Sequence, residues 1–89
     1  MDQMKLRFTH HARDKFLILE RHNFTVAEET VIEAVRHPEK VERSRNNRFV
    51  AERAIDEEHL IRVVYEFRGD EIAIITFYPA RKRRYEDKI

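Results

Sequence analysis

The chain contains no cysteine. Disulfides, thiolate metal sites and thiol nucleophiles are thereby excluded. Its one glycine is Gly69 and its two prolines are Pro38 and Pro79. So few breakers leave little room for long irregular loops. No glycine-rich loop can cradle a nucleotide phosphate, and no nucleophile-elbow pattern occurs. Met1-Asp2-Gln3-Met4-Lys5 leads into no apolar run long enough for a signal peptide or a membrane span. A soluble cytoplasmic protein without a membrane partner is expected. Metal ligation is not expected either, because His10 and His11 are adjacent and diverge by about 100° on a helix. No Asp, Glu and His cluster has ligand spacing, so no cofactor is expected.

What the chain has in abundance is charge. Of its 89 residues 39% are charged and 42% hydrophobic, which is enough for one small core and a single domain over residues 1–89. The net charge of +1 hides an uneven distribution. Arg81, Lys82, Arg83, Arg84 and Lys88 stand against Glu86 and Asp87 at the C-terminal end. Lys40, Arg43, Arg45 and Arg48 stand against Glu42 in the middle. Glu28, Glu29 and Glu33 stand against Arg36. The sharpest contrast is the apolar run Ile72 to Phe77, which passes through Tyr78-Pro79 into Arg81-Lys82-Arg83-Arg84 and then Tyr85. A buried strand cannot hold those cations. They are expected outside the sheet, facing RNA or an acidic protein.

Met4 to Phe8 reads as a short strand and Thr9 as a helix cap. Ala12, Phe16 and Leu19 fall on one helical stripe, which Leu17 and Ile18 are expected to widen. His22-Asn23-Phe24 ends this helix. Thr25 and Glu28 have the spacing of a capping box for a second helix. That helix buries Val31, Ala34 and Val35 and ends at His37-Pro38. The period then changes. Strands are expected over 40–45, 48–55, 60–67 and 71–78, with turns at Asn46-Asn47, Asp56-Glu57-Glu58 and Arg68-Gly69-Asp70. The last strand is the most apolar and is expected to lie centrally. The Arg-Gly-Asp triplet is explained by the hairpin and is not read as an adhesion motif. The result is an α+β layout: two N-terminal helices on one face of a four-stranded antiparallel sheet, with a short N-terminal strand added.

Particular stretches then resemble a known family. They are Thr9-His10-His11-Ala12-Arg13, Glu20-Arg21, the helix from Val26 to Val35 followed by His37-Pro38-Glu39, and the strands Leu60 to Tyr65 and Ile74 to Tyr78. Together they resemble the domain of unknown function 4258 family, and the layout is similar to BrnT-type toxins near the RelE/ParE superfamily. The resemblance covers nearly the whole chain and rests on the order of elements more than on any one residue. It implies a RelE-like fold. For the RelE and BrnT relatives it also implies ribonuclease activity, a cytoplasmic location and an antitoxin partner of a type II toxin–antitoxin system.

Metal-free RNA cleavage needs a base for the 2′-OH, an acid for the leaving 5′-oxygen and cations for the phosphorane. Arg81, Lys82, Arg83 and Arg84 supply cations at one end of the sheet, and the arginine fork suits phosphate. Tyr78 and Tyr85 can stack on a base or donate a proton. Arg43, Arg45 and Arg48 cluster around the first hairpin as RNA contacts. Arg62 lies mid-strand, where its charge needs an outlet on a polar sheet face. His11 is either a general base near neutral pH or a helix-start residue bonded to the backbone. The expected catalytic set is therefore His11, Arg62, Tyr78, Arg81 and Tyr85, acting on mRNA on or off the ribosome. The chain is expected to be a monomer or a homodimer. Two other readings stand beside it: a non-catalytic RNA- or protein-binding module, and a ParE-like toxin that inhibits a protein target.

Overall fold

A computed structural model describes residues 4–82. The order is β1 (Lys5–Phe8), α1 (His10–Arg21), α2 (Glu28–Arg36), β2 (Lys40–Arg43), β3 (Arg48–Ala54), β4 (His59–Arg68) and β5 (Glu71–Arg81). The α+β class expected from the sequence is what forms. The sheet differs from expectation in one respect. It has five strands in the order β1-β5-β4-β3-β2, and it is mixed, because β1 runs parallel to β5 while the other pairs are antiparallel. A parallel neighbour requires a long crossover, and α1 and α2 lie in the chain between β1 and the hairpins. β5 is interior, but the middle strand is β4.

Period-2 alternation assigns the two faces. Towards the helices the cross-strand rows read Phe49–Tyr65–Ile74–Phe8 and Ala51–Val63–Phe77. Ile61, Val63, Ile74 and Phe77 are fully buried there, and Val31 and Ala34 of α2 and Ala12 of α1 pack onto them. The opposite face has no helix over it among the described residues. It carries Arg48, Val50, Glu52, Arg62, Val64, Glu66, Thr76 and Tyr78 in register.

The alternation is interrupted once. Val64 pairs with Thr76 but Tyr65 pairs with Ile74, so Ile75 is an extra residue in β5. This bulge puts Ile74 and Phe77, three apart, on the same face. Thr9 fixes it in place. The Thr9 amide donates to the Ile74 carbonyl at 3.0 Å, and its hydroxyl donates to the Ile75 carbonyl at 3.2 Å. The same hydroxyl accepts the Ala12 amide at 3.2 Å and so caps α1 as expected.

Several local expectations are corrected. The Thr25–Glu28 capping box does not form: Ala27 is the cap residue of α2 and makes no side-chain cap bond. Leu17 and Ile18 do not widen the buried stripe and are 59% and 41% exposed, because α1 meets the sheet only through Ala12, Phe16 and Leu19. β2 stops at Arg43, and Asn46 and Asn47 take φ of 58° and 61° in the turn that follows. Tyr78-Pro79 is no break. β5 continues to Arg81, and Arg81 lies within the sheet opposite His59. β1 flanks β5 only from Glu71 to Ile74. Beyond that the outer side of β5 has no strand neighbour among the described residues, which is where a missing N–H is tolerated. Among the described residues no helix is long and apolar enough to cross a membrane.

Phe77→Ala is expected to lower unfolding free energy by about 3–5 kcal/mol in urea denaturation, as for other fully buried Phe truncations. Thr9→Ala is expected to cost about 1 kcal/mol through the lost cap alone. A larger loss would measure what the hydroxyl contributes at the bulge.

Candidate functional site

The open sheet face holds a connected polar array. Lys40, Glu52, Arg62 and Tyr78 form one cross-strand row over β2, β3, β4 and β5. The guanidinium of Arg62 organises it. Its Nε donates to the Tyr78 hydroxyl at 3.1 Å, its Nη1 bonds the Glu52 carboxylate, and its Nη2 lies 3.7 Å from Glu42. The guanidinium carbon also stands 5.9 Å from the Tyr78 ring centroid. The Arg62 and Glu52 side chains are only 25% and 14% exposed, so water screens the pair less than it would a pair on an open helix.

Partial burial works against the charge of Arg62. The hydrogen bond to Tyr78 and the negative ends of Tyr78, Glu52 and Glu42 outweigh it, and the net shift of its pKa is upward. The guanidinium is therefore a permanent cation. The next polar row holds Arg48, 3.2 Å from Glu66, and Arg68 also reaches Glu66 at 2.5 Å. Bonds from Arg68 and then Arg48 hold the Glu66 carboxyl below its ordinary range. Val50 and Val64 pair between the two rows, and Val50 is buried outside the helix-side core.

Arg62 and Tyr78, both anticipated as site residues, are thus in direct contact. The other candidates are elsewhere. His11 is exposed on α1, so the sheet lies between it and the Arg62 row. Arg81 is exposed and points to the helix side, in register with His59. The Lys82 amide donates to the Glu58 carbonyl at 2.9 Å, which sets the first C-terminal cations beside the acidic 56–58 turn. Arg43 lies on the helix side over the Phe49 ring, and Arg45 is exposed in the β2–β3 turn. Arg48 is on the open face but already paired. Arg83, Arg84 and Tyr85 lie outside the described residues.

Sequence reasoning missed Glu52 and Glu42. The signal was present: Glu52 alternates in phase with Arg48 in a strand opposite Arg62. Their register becomes readable only once the turn at 55–58 is fixed.

A second polar group occupies the far end of the sheet on the helix side. Asp56 Oδ1 accepts the amides of Glu58 and His59, both at 2.7 Å, and lies 3.1 Å from His59 Nδ1. The Phe24 ring meets His59 edge-on at 5.6 Å. A cleft of about 390 Å³ opens beside this turn, lined by Asn23, Phe24, Thr25, Thr30 and Asp56 among others. The Asp56 oxygen facing the turn is fully engaged by backbone, so this carboxylate is a turn anchor. Among the described residues no three His, Asp or Glu side chains converge.

The chain matches no protein-family model, no curated protein and no solved structure.

The backbone bond from Glu58, and with it the His59 bonds, lowers the Asp56 pKa below its ordinary 3.8. Its contribution to the turn is present above that value and is lost as pH falls through the lower folded value. The protection factors of the Glu58 and His59 amides, with intrinsic exchange divided out, are therefore expected to hold at pH 5 and to fall only below about pH 3.8, with Asp56→Ala lowering them already at pH 5.

Proposed function

We propose that this chain is a metal-independent endoribonuclease of the toxin type, similar to RelE and BrnT toxins, with its catalytic row at Glu52, Arg62 and Tyr78. The observation that carries the reading is the Arg62 guanidinium, which contacts a carboxylate on one neighbouring strand and a phenol on the other. The strand-helix-helix-four-strand order is also what the resemblance to the RelE/ParE superfamily implies. An acidic antitoxin partner and a cytoplasmic location belong to the same reading.

The chemistry follows from the three groups. The Glu52 carboxylate takes the proton of a ribose 2′-OH, and the freed oxygen attacks the adjacent phosphorus. The O2′–P bond forms as the P–O5′ bond breaks, leaving a 2′,3′-cyclic phosphate and a 5′-hydroxyl. Tyr78 supplies the proton to the departing O5′. Arg62 sits between the two and stabilises both the phosphorane charge and the phenolate left behind. Proton exchange with water restores Glu52 and Tyr78. Val64, half-buried next to the row, offers an apolar contact for an unstacked nucleotide.

The non-catalytic reading draws on one specific observation: each arginine of this face other than Arg62 also sits against a glutamate, as Arg7 with Glu71, Arg48 with Glu66 and Arg68 with Glu66 do. Such compensation lowers affinity for the phosphate backbone. It does not remove a base, a cation and an acid in contact, and the catalytic reading is the stronger one.

The test is incubation of the purified chain with labelled mixed-sequence RNA, with and without EDTA. Cleavage is expected to survive EDTA and to leave 2′,3′-cyclic phosphate ends. Glu52→Gln and Tyr78→Phe are each expected to slow it by roughly 10²–10⁴-fold. Arg62→Lys, which keeps the charge but loses the fork, is also expected to be inactive. RNA bound but never cut would sink the catalytic reading in favour of a binding module.

A further inference from the structure

The helix side of the sheet ends in three aromatic rings, Phe49, Tyr65 and Phe67, the last of them half-exposed. Phe49 stacks on Tyr65 at 5.6 Å, and Phe67 meets Phe49 and Tyr65 edge-on at 5.5 and 5.8 Å. Tyr65 is buried, but Phe67 is 50% exposed. Register explains the exposure. β3 begins opposite Glu66, so β4 outruns it at Phe67 and that flank of the ring has no strand beside it among the described residues. Val41 of the edge strand β2 is 45% exposed on the same side, opposite Ala51. Two exposed apolar side chains thus flank a packed aromatic pair.

The charges around this ledge differ from those of the open face. On the open face Arg7, Arg48, Arg62 and Arg68 each reach a glutamate. Arg43 reaches none among the described residues. Its guanidinium lies 5.8 Å over the Phe49 ring instead. Arg36, at the end of α2, donates to the Met4 carbonyl at 3.4 Å and likewise has no carboxylate partner among the described residues. Exposed aromatic and arginine side chains lying together, with apolar neighbours, are the composition of a protein-binding hot spot.

We propose that the Phe49–Tyr65–Phe67 ledge, with Arg43 at its edge, docks an acidic protein segment that carries an apolar anchor. The anchor packs on Phe67, a second apolar side chain of the segment packs on Val41, and its carboxylates meet Arg43 and Arg36. Charge selects this occupant. A second copy related by a two-fold axis would set Arg43 and Arg36 against their own equivalents. An RNA strand finds only the half-exposed Phe67 ring, since Phe49 is stacked on Tyr65 and covered by Arg43, and single-strand binding stacks successive bases on several open rings. The surface lies across the sheet from the catalytic row and does not depend on the cleavage reading. It gives the acidic partner of that reading a place to bind that leaves the row uncovered.

The experiment uses the full chain and a synthetic amphipathic peptide with glutamates on one face and leucine and phenylalanine on the other. Binding is read by fluorescence anisotropy. Saturable binding is expected, weakened about tenfold or more by Phe67→Ser and by Arg43→Glu, and unchanged by Glu52→Gln. Both variants alter exposed side chains and are expected to stay folded, Phe67→Ser with a modestly lower melting temperature through its two lost ring contacts. Equal affinity in both variants would overturn the proposal. So would equal binding of a peptide of the same composition in scrambled order, or sedimentation showing self-association that Phe67→Ser abolishes. RNA cleavage by Phe67→Ser is expected at the wild-type rate. Peptide binding by a chain that never cuts RNA would leave this surface standing and remove only the ribonuclease.

Discussion

One extra residue in β5 sets the phase of everything after it. Side chains in a strand alternate, so Ile72 and Ile74 on the helix side would bring Thr76 and Tyr78 to that side too. Ile75 interrupts the count between Tyr65 and Val64. Phe77 then enters the core, where its ring lies 4.6 Å from that of Phe16 on α1. Tyr78 turns to the open face and meets Arg62. Core and candidate site therefore rest on the same irregularity, and Thr9 holds it through the Ile75 carbonyl while capping α1. Moving the bulge would exchange the two faces of β5: an aromatic ring would lose its cover and a phenol would be buried.

The open face shows how a chain of near-neutral charge can still carry local cations. Most of its arginines are matched by glutamates on adjacent strands, and such cross-strand pairs contribute modestly to sheet stability. They also line this sheet face with paired charges without a large net charge. Arg62 differs in being three-quarters shielded and in touching both a carboxylate and a hydroxyl. An ion pair needs one partner. A proton-transfer site needs a base and an acid held at a common cation, and in the proposed function Glu52, Tyr78 and Arg62 take those parts. On the helix side Arg13 pairs with Glu28, whereas Arg43 lies over a ring and Arg36 and Arg53 donate to carbonyls. The two faces are thus prepared for different chemistries.

Much of this was legible in the residues. The helices, the four later strands and the turns at Asn46-Asn47 and Gly69 follow from period and turn chemistry, and positive φ at each of those three residues bears the turns out. Arg62 was singled out because a mid-strand charge needs an outlet. Its contact with Tyr78 was not readable, since strand phase is lost wherever a bulge intervenes and a run such as Ile72 to Tyr78 is apolar on both faces. Pro79 misled for a related reason. A proline ends an interior strand but is tolerated on a flank without a neighbour, and only the short reach of β1 reveals that flank. The parallel pairing of β1 is a long-range choice that local pattern does not encode. The capping box failed because Thr25 lies two residues ahead of the cap that forms, Ala27.

The most direct test of the central claim is an NMR titration of the full chain with a non-cleavable 2′-deoxy analogue of an RNA oligonucleotide, following arginine Nε–H and aromatic signals. The account predicts that Arg62 Nε–H and the Tyr78 ring shift together with backbone amides around Glu52, while His11 and Phe67 stay still. Shifts confined to the Arg81–Lys82 end, with Arg62 and Tyr78 unmoved, would contradict it and reduce the open-face row to a structural ion pair.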